Sequence, residues 1–199
     1  MARSILTMET LPAFPLHLLP IPGELLPLHI FEPRYRQLLS DAEESDMEFV
    51  LFPNGDINPL KFGAILKLEQ IIRKFESGES DIIVRAVDFC VVHELSPFYK
   101  QKLYPGAIIT RKGLDTKKNP GISLMLEFTD WQQQIKKPRI SSSISIFNIA
   151  AALQLTLKER IRFAALSENG KQRFLTGMIR FEKVILRAEE YSKRIYHLN

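Results

Sequence analysis

The sequence predicts an α+β protein in which a strand-rich part is followed by a helical part. Apolar residues in the first half alternate with a period of two, as in Leu26, Leu28 and Ile30, which is typical of strands with one buried face. A polar, turn-rich tract at residues 111–121 ends this pattern. Beyond the tract, apolar residues recur every three or four positions, as on one face of a helix. We therefore expect strands over residues 10–115 and helices over residues 120–199.

The stretch from Phe14 to Leu39 predicts two paired strands followed by a helix. Prolines and a glycine at residues 20–23 indicate the turn between the strands. Pro27 indicates an edge or bulge position, because proline has no amide hydrogen to donate within a central strand. Pro33 suits the first residue of a helix, whose apolar face is predicted to be Tyr35, Leu38, Leu39 and Ala42. Residues 1–11 show no periodicity and are expected to be a loose lead-in.

Short apolar runs between turn signals predict the remaining strands. Residues 48–52 are expected to form a buried strand, residues 65–94 a long hairpin, and residues 107–110 a short strand. The single cysteine, Cys90, lies in the hairpin and cannot form a disulfide within the chain. We expect it to be a small buried core residue rather than a reactive thiol.

Helical spacing and capping signals organise the second half. Residues 144–155 predict a buried helix, and Thr156 with Glu159 has the form of a capping box that starts the next one. Asn169 is expected to cap the last helix. Earlier in this half, a spacing of four, three and four suits a helix face made of Leu124, Phe128, Trp131 and Ile135, although residues 122–128 alone would also fit a strand. Apolar residues spaced four and three apart predict the packing face of the last helix, namely Phe174, Met178, Phe181, Ile185 and Ala188. Residues 136–143 are expected to be a polar link.

One segment carries a family resemblance. The string PGELLPLHIFEPRYRQLLSDA resembles the opening motif of the N-terminal domain of the Lon ATP-dependent proteases, and a weaker similarity continues through residues 61–95 and 144–194. The resemblance implies a PUA-like β pseudo-barrel with one inserted helix at residues 10–115, followed by a helical bundle at 120–199. It also implies binding of exposed apolar segments of damaged or tagged proteins. The chain departs from the family pattern at Ala86 and Asp88, where members usually carry glycine and arginine.

An aromatic and basic stretch between the last two predicted strands is the candidate binding site. Aromatic rings beside cations can contact apolar peptides, and they can also stack on nucleic acid bases. Residues 1–99 carry 8 Lys and Arg against 15 Asp and Glu, whereas residues 100–199 carry 19 against 8, so the halves have opposite net charge. RNA binding by a PUA-like protein through the basic half is therefore the alternative to peptide binding. The candidate residues for either ligand are Phe98, Tyr99, Tyr104 and Arg111.

No catalytic motif is evident. A nucleotide motor needs the motif G-x-x-x-x-G-K-[S/T], and Gly170-Lys171 lacks both the earlier glycine and the following hydroxyl residue. Ser141 to Ser143, near Lys136, lack the glycine-rich frame of a nucleophile. The histidines His17, His29, His93 and His197 have no metal-ligand spacing. We expect no enzyme activity, no cofactor and no metal.

The expected setting follows from these patterns. Five prolines between Pro12 and Pro27 interrupt the apolar N-terminal region, so neither a signal peptide nor a membrane span is predicted and a cytoplasmic location is expected. The resemblance implies a standalone protein without the ATPase and protease domains of Lon. Its expected partners are unfolded or exposed apolar protein segments and, in an adaptor version, a separate protease.

Overall fold

The chain folds into two compact units. The computed structural model describes residues 7–53, 55–135 and 144–196. The first unit comprises Met1–Thr116 and Leu155–Ala165, and the second comprises Lys117–Gln154 and Leu166–Asn199. The predicted domain limits at residues 115 and 120 stay a prediction, as does the polar link at residues 136–143, which lies outside the described residues.

A sheet closed into a barrel forms the body of the first unit. Its six strands, in chain order, are β1 (Met8–Pro15), β2 (Leu25–Ile30), β3 (Phe49–Phe52), β4 (Phe62–Lys74), β5 (Ser80–Ser96) and β6 (Gly106–Arg111). The strand order is β2-β5-β4-β3-β1-β6, and the last strand of this order, β6, also pairs with β5. Five strands therefore form a closed ring, and β2 lies outside that ring. The predicted α+β class, with strands before helices, is confirmed.

The N-terminal strand is a correction to the sequence analysis. Residues 8–11, expected to be a loose lead-in, belong to β1, which pairs antiparallel with β6 and parallel with β3. The expected pairing of the first two strands is also wrong, since among the described strands β2 pairs with β5 and not with β1. β1 depends on partners far along the chain, such as Thr110 opposite Met8, so short-range alternation does not reveal it.

The long hairpin of β4 and β5 is confirmed and supplies the longest strands. β5 spans 17 residues, so its two halves can have different partners. Its first half pairs with β2, where Leu26 lies opposite Val84, and its second half pairs with β6, where Val91 lies opposite Thr110. Irregularities in the register near Leu66, Leu68 and Ile71 bend the hairpin, as expected of bulges that help a sheet to curve.

The barrel interior is apolar and closely packed. A core cluster of buried residues includes Val50, Ile65, Cys90 and Ile109. Burial raises the pKa of the Cys90 thiol to about 12. Cys90 is thus a core residue, as predicted, and the thiolate form that would react is disfavoured.

Two of the described helices belong to the first unit. Helix α1 (Pro33–Ser45) starts with the predicted proline, and its buried residues are the predicted Tyr35, Leu38, Leu39 and Ala42. The helix at Leu157–Ala165 begins with the predicted capping box, in which the Thr156 amide donates to Glu159 Oε2 at 2.8 Å. Its buried Phe163 contacts Phe89 of β5 edge to face, with ring centroids 6.5 Å apart.

The described residues of the second unit form three helices. In chain order the remaining helices are α2 (Ile122–Gln134), α3 (Ile146–Ala152) and α5 (Glu168–Tyr196), and the helix at Leu157–Ala165 is accordingly α4. Leu124, Phe128 and Trp131 are buried on α2, as the spacing predicted. α3 starts at a capping box formed by Ser145 and Asn148.

Helix α5 corrects two predictions. It begins at Glu168, and the Ser167 hydroxyl rather than Asn169 caps it by accepting from the Gly170 amide. The predicted packing face is displaced, since Phe181 is 59% exposed and Ile185 is also exposed. Among the described side chains of α5, the buried ones are instead Lys171, Leu175, Ile179 and Lys183, and Gly170 is buried as well. Lysine can occupy this face because Lys183 Nζ lies 2.6 Å from Glu127 and 2.5 Å from Asp130 on α2.

Candidate binding groove

The structure brings three of the four predicted site residues together. Phe98, Tyr99 and Tyr104 lie in the connection between β5 and β6, where the Tyr99 and Tyr104 rings stack with centroids 5.8 Å apart. Phe98 is 60% exposed, but Tyr104 is fully buried. The Tyr104 hydroxyl donates to Asp41 Oδ2 at 2.6 Å, and Lys102 donates to the same carboxylate. Tyr104 therefore anchors this connection to α1.

Arg111 lies apart from the aromatic residues. It ends β6, whereas Tyr104 precedes the start of that strand, so they are roughly 17 Å or more apart at the usual rise of a strand. Its guanidinium forms ion pairs with Glu9 and Glu48, and its hydrogen bond to Glu9 is the largest of the causes that raise its pKa. The binding role of Phe98, Tyr99, Tyr104 and Arg111 stays a prediction.

Asp88, one of the two departures from the family pattern, is a structural residue. Its carboxylate accepts hydrogen bonds from the backbone amides of Phe89 at 2.8 Å, Gly113 at 2.8 Å and Leu114 at 3.4 Å. Burial raises its pKa, although these amides act in the opposite direction. Asp88 thereby holds the segment that follows β6 against β5.

A groove of about 390 Å³ lies elsewhere on the first unit. Three segments form it: the loop after β1, the start of β2 and the start of α4. We call it the leucine groove, because its lining consists of Pro20, the Glu24 and Arg160 side chains, and six leucines. The leucines are Leu18, Leu19, Leu25, Leu26, Leu155 and Leu157.

The loop after β1 is shaped by its own sequence. Gly23 has a φ of +96°, a left-handed conformation that glycine adopts without strain, and its amide donates to the Ala86 carbonyl at 2.7 Å. Leu19 and Ile21 are buried and anchor the loop, whereas Leu18 and Leu25 are exposed. Two leucines are thus held in solvent beside a groove that is itself apolar.

The polar groups of the groove neutralise one another. Arg160 Nη1 lies 2.5 Å from Glu24 Oε2 and Nη2 lies 3.0 Å from Oε1, in the bidentate arrangement favoured by guanidinium and carboxylate. Arg160 Nε also donates to the Leu155 carbonyl at 2.7 Å. The Glu24 carboxylate accepts from the Ile21 amide as well. The groove is therefore suited to an apolar ligand rather than to an ion.

Neither a metal site nor a membrane span is evident in the described part of the chain. Over residues 7–53, 55–135 and 144–196 no three His, Cys, Asp or Glu side chains cluster as metal ligands. Among the same residues no helix is both long and apolar enough to cross a membrane.

These features define a class of protein: an α+β protein with a closed barrel, an inserted helix and helices after the barrel. Within that class, the chain belongs to the family described as the ATP-dependent protease La (LON) substrate-binding domain, whose family model matches residues 10–125. No sequence among curated proteins matches the chain. The resemblance seen in the opening motif is confirmed.

Solved structures support the same fold. A crystal structure of a Lon N-terminal domain protein from Xanthomonas campestris is 19% identical, with a TM-score of 0.65, and the match covers 86% of this chain and 97% of that one. The N-terminal domain of the Mycobacterium avium complex Lon protease is 12% identical, with a TM-score of 0.59, and the match covers 86% and 98%. At these identities the similarity shows the fold.

Sequence reasoning missed the leucine groove. Its N-terminal leucines fit the alternation of a strand, and Leu155 and Leu157 fit two predicted helices, but neither pattern shows which leucines stay in solvent. The one local signal was the run of prolines around Leu18 and Leu19, which prevents a regular strand there.

Proposed function

We propose that this protein is a non-enzymatic module that binds exposed apolar segments of other polypeptides in the leucine groove. The observation that carries the proposal is the groove itself, in which six leucines surround an internally neutralised ion pair. Membership in a family described by substrate binding supports it. Apolar contact is non-directional, so such a groove can accept many sequences weakly.

The test is fluorescence anisotropy with a labelled, permanently unfolded polypeptide at low and high salt. We expect binding that changes little with salt, because apolar contact is not screened. Labelled RNA is the second probe, since binding to phosphates falls steeply as salt rises. Salt-sensitive binding to RNA alone would contradict the proposal and favour the basic half of the chain.

Leu25→Asp is the variant that addresses the groove. Leu25 is 51% exposed, so the aspartate remains solvated and the fold is retained. Leu60→Asp is the matched control, because Leu60 is 53% exposed and lies outside the groove. We expect about tenfold or greater weakening for Leu25→Asp and little change for Leu60→Asp. If the two variants weakened binding equally, the leucine groove would be ruled out as the binding site.

Phe98→Asp tests the aromatic site in the same assay. Phe98 is exposed at the predicted site, so an aspartate in its place remains solvated. If Phe98→Asp abolishes binding and Leu25→Asp does not, the polypeptide binds at the connection between β5 and β6 instead.

An adaptor version of the function adds a separate protease as a second partner. In that version the protein alters the rate at which the protease degrades an unfolded polypeptide. Leu25→Asp should remove that effect, because it removes polypeptide capture and leaves the rest of the surface intact.

A further inference from the structure

Within the part of the chain that the structure describes, strand β2 has one free edge. It is the terminal strand in the sheet order and pairs there with β5 alone, whereas each barrel strand has at least two neighbours. Leu25, Pro27 and His29 are exposed along it, and Ile30 is buried at its end. A free edge presents backbone groups that another extended chain can pair with.

The register identifies the groups that face outward. The Ala86 amide donates to the Glu24 carbonyl at 3.0 Å, so this opposed pair bonds across the two strands. In an antiparallel ladder, opposed residue pairs alternate between hydrogen-bonded and non-hydrogen-bonded. Counting in twos from Glu24 and Ala86, the next hydrogen-bonded pairs are Leu26 with Val84 and Leu28 with Ile82. The backbone groups of Leu25, Pro27 and His29 therefore point away from β5.

Pro27 fits this assignment. Its missing amide hydrogen falls in the outward set, so it costs β2 no bond to β5. The outward edge then offers the amides of Leu25 and His29 and the carbonyls of Leu25, Pro27 and His29. The gap at Pro27 also limits continuous pairing with a second edge, which protects the protein against permanent association.

The free edge leads into the leucine groove. Leu25 and Leu26 belong both to β2 and to the groove lining. A chain running beside β2 would thus pass the groove at the level of Leu25 and could place an apolar side chain in it. Backbone pairing would supply affinity, and the groove would select the side chain.

We infer that the bound polypeptide segment adds to β2 as an extended strand. This inference rests on the proposed function. It narrows the substrate class to polypeptide segments that can adopt an extended conformation and that place an apolar residue at the leucine groove. Segments held in a helix are excluded, because their backbone groups are already bonded within the helix.

Residue-resolved amide hydrogen exchange tests the strand addition. The probe is a short labelled peptide of alternating valine and threonine, first shown to bind by anisotropy. At saturation we expect exchange at Leu25 and His29 to slow about tenfold or more. Exchange at Leu26 and Leu28 should change little, because these amides already bond to β5.

Backbone methylation of the peptide provides the second measurement. Methylating the amides on alternate residues removes the donors on one edge of the peptide strand and preserves its side chains. Methylation of the edge that faces β2 should weaken binding about tenfold, and methylation of the opposite edge should not.

The outcomes separate the two proposals. Binding without slower exchange at Leu25 and His29, and with no effect of methylation on either edge, overturns strand addition and leaves the groove proposal standing. Failure of both the unfolded polypeptide and the peptide to bind overturns the proposed function, and the strand addition with it.

Discussion

Arg160 and Glu24, 136 positions apart in the sequence, form a bidentate ion pair that joins α4 to the start of β2. Both side chains are about four-fifths buried. Arg160 also donates to the carbonyls of Leu155 and Leu19, so one guanidinium ties together the three segments of the leucine groove. The pair is therefore a structural element of the groove.

Removing one partner of this pair should destabilise the protein. Arg160→Ala leaves the Glu24 carboxylate with the Ile21 amide but without its counter-ion, and we expect a loss of about 2 kcal/mol in the free energy of unfolding. Urea denaturation measures it. Arg34→Ala is the control, because Arg34 pairs with Glu32 at an exposed site and should contribute about 0.5 kcal/mol or less. Similar values for the two variants would contradict the structural role.

Helix α5 gives a second contrast, between Ile179 and Phe181. Ile179 is fully buried, and Ile179→Ala should cost about 3 kcal/mol through lost burial and a residual cavity. Phe181 is largely exposed, so Phe181→Ala should cost about 0.5 kcal/mol. Thermal or urea unfolding of both variants measures the difference. The opposite order would restore the packing face predicted from the apolar spacing.

The buried face of α5 differs from the predicted face because the prediction used only the spacing of apolar residues. The pattern treats lysine as a surface residue, yet Lys183 is buried because Glu127 and Asp130 neutralise it. Those carboxylates lie on another helix, more than fifty positions earlier. By contrast, the face of α1 and the capping box of α4 were predictable, because each is defined by residues within about two helical turns.

The same distinction between local and long-range contacts applies to the candidate site. The sequence identified an aromatic cluster because Phe98, Tyr99 and Tyr104 are close in the chain. It did not identify the leucine groove, which depends on Leu18, Leu25 and Leu157 from three segments. The parallel pairing of β1 with β3 was hidden for the same reason, since it joins residues well separated in the chain.

The carboxylate of Asp41 predicts a pH dependence. Burial alone would raise its pKa, but hydrogen bonds from Lys102 and Tyr104 outweigh burial and lower the pKa below its ordinary value. A carboxylate whose pKa is lower in the folded state stabilises the protein at pH values above its unfolded-state pKa. This stabilisation is lost as the pH falls through the folded-state pKa. Asp41→Asn should thus be less stable by about 1 kcal/mol at neutral pH, with the gap closing below about pH 4.

Urea unfolding of the wild type and Asp41→Asn at a series of pH values measures that gap. Asparagine keeps the size of the side chain and an oxygen that can accept from the Tyr104 hydroxyl, so the comparison isolates the charge. A gap that stays constant from neutral to acid pH would show that the charge of Asp41 contributes nothing.

Two glycines predict effects of opposite sign for the same substitution. A Cβ at Gly63 of β4 would lie 2.9 Å from Val50 Cγ1 and 3.0 Å from Cys90 Sγ, inside the closed barrel. Gly63→Ala should therefore cost about 2 kcal/mol through overpacking. A Cβ at Gly177 of α5 would meet nothing within 4 Å, so Gly177→Ala should stabilise the helix by about 0.5 to 1 kcal/mol.

The melting temperatures of the two variants provide the measurement, and each variant is the other's control. The wild-type barrel has β4 closely packed between β3 and β5 at Gly63, so the added methyl group must displace Val50 or Cys90. On α5 the methyl group projects into open space and only reduces the freedom of the unfolded chain. If Gly63→Ala instead stabilised the protein, the barrel wall at this point would have room for a methyl group. That result would contradict the close packing of the three strands around Gly63.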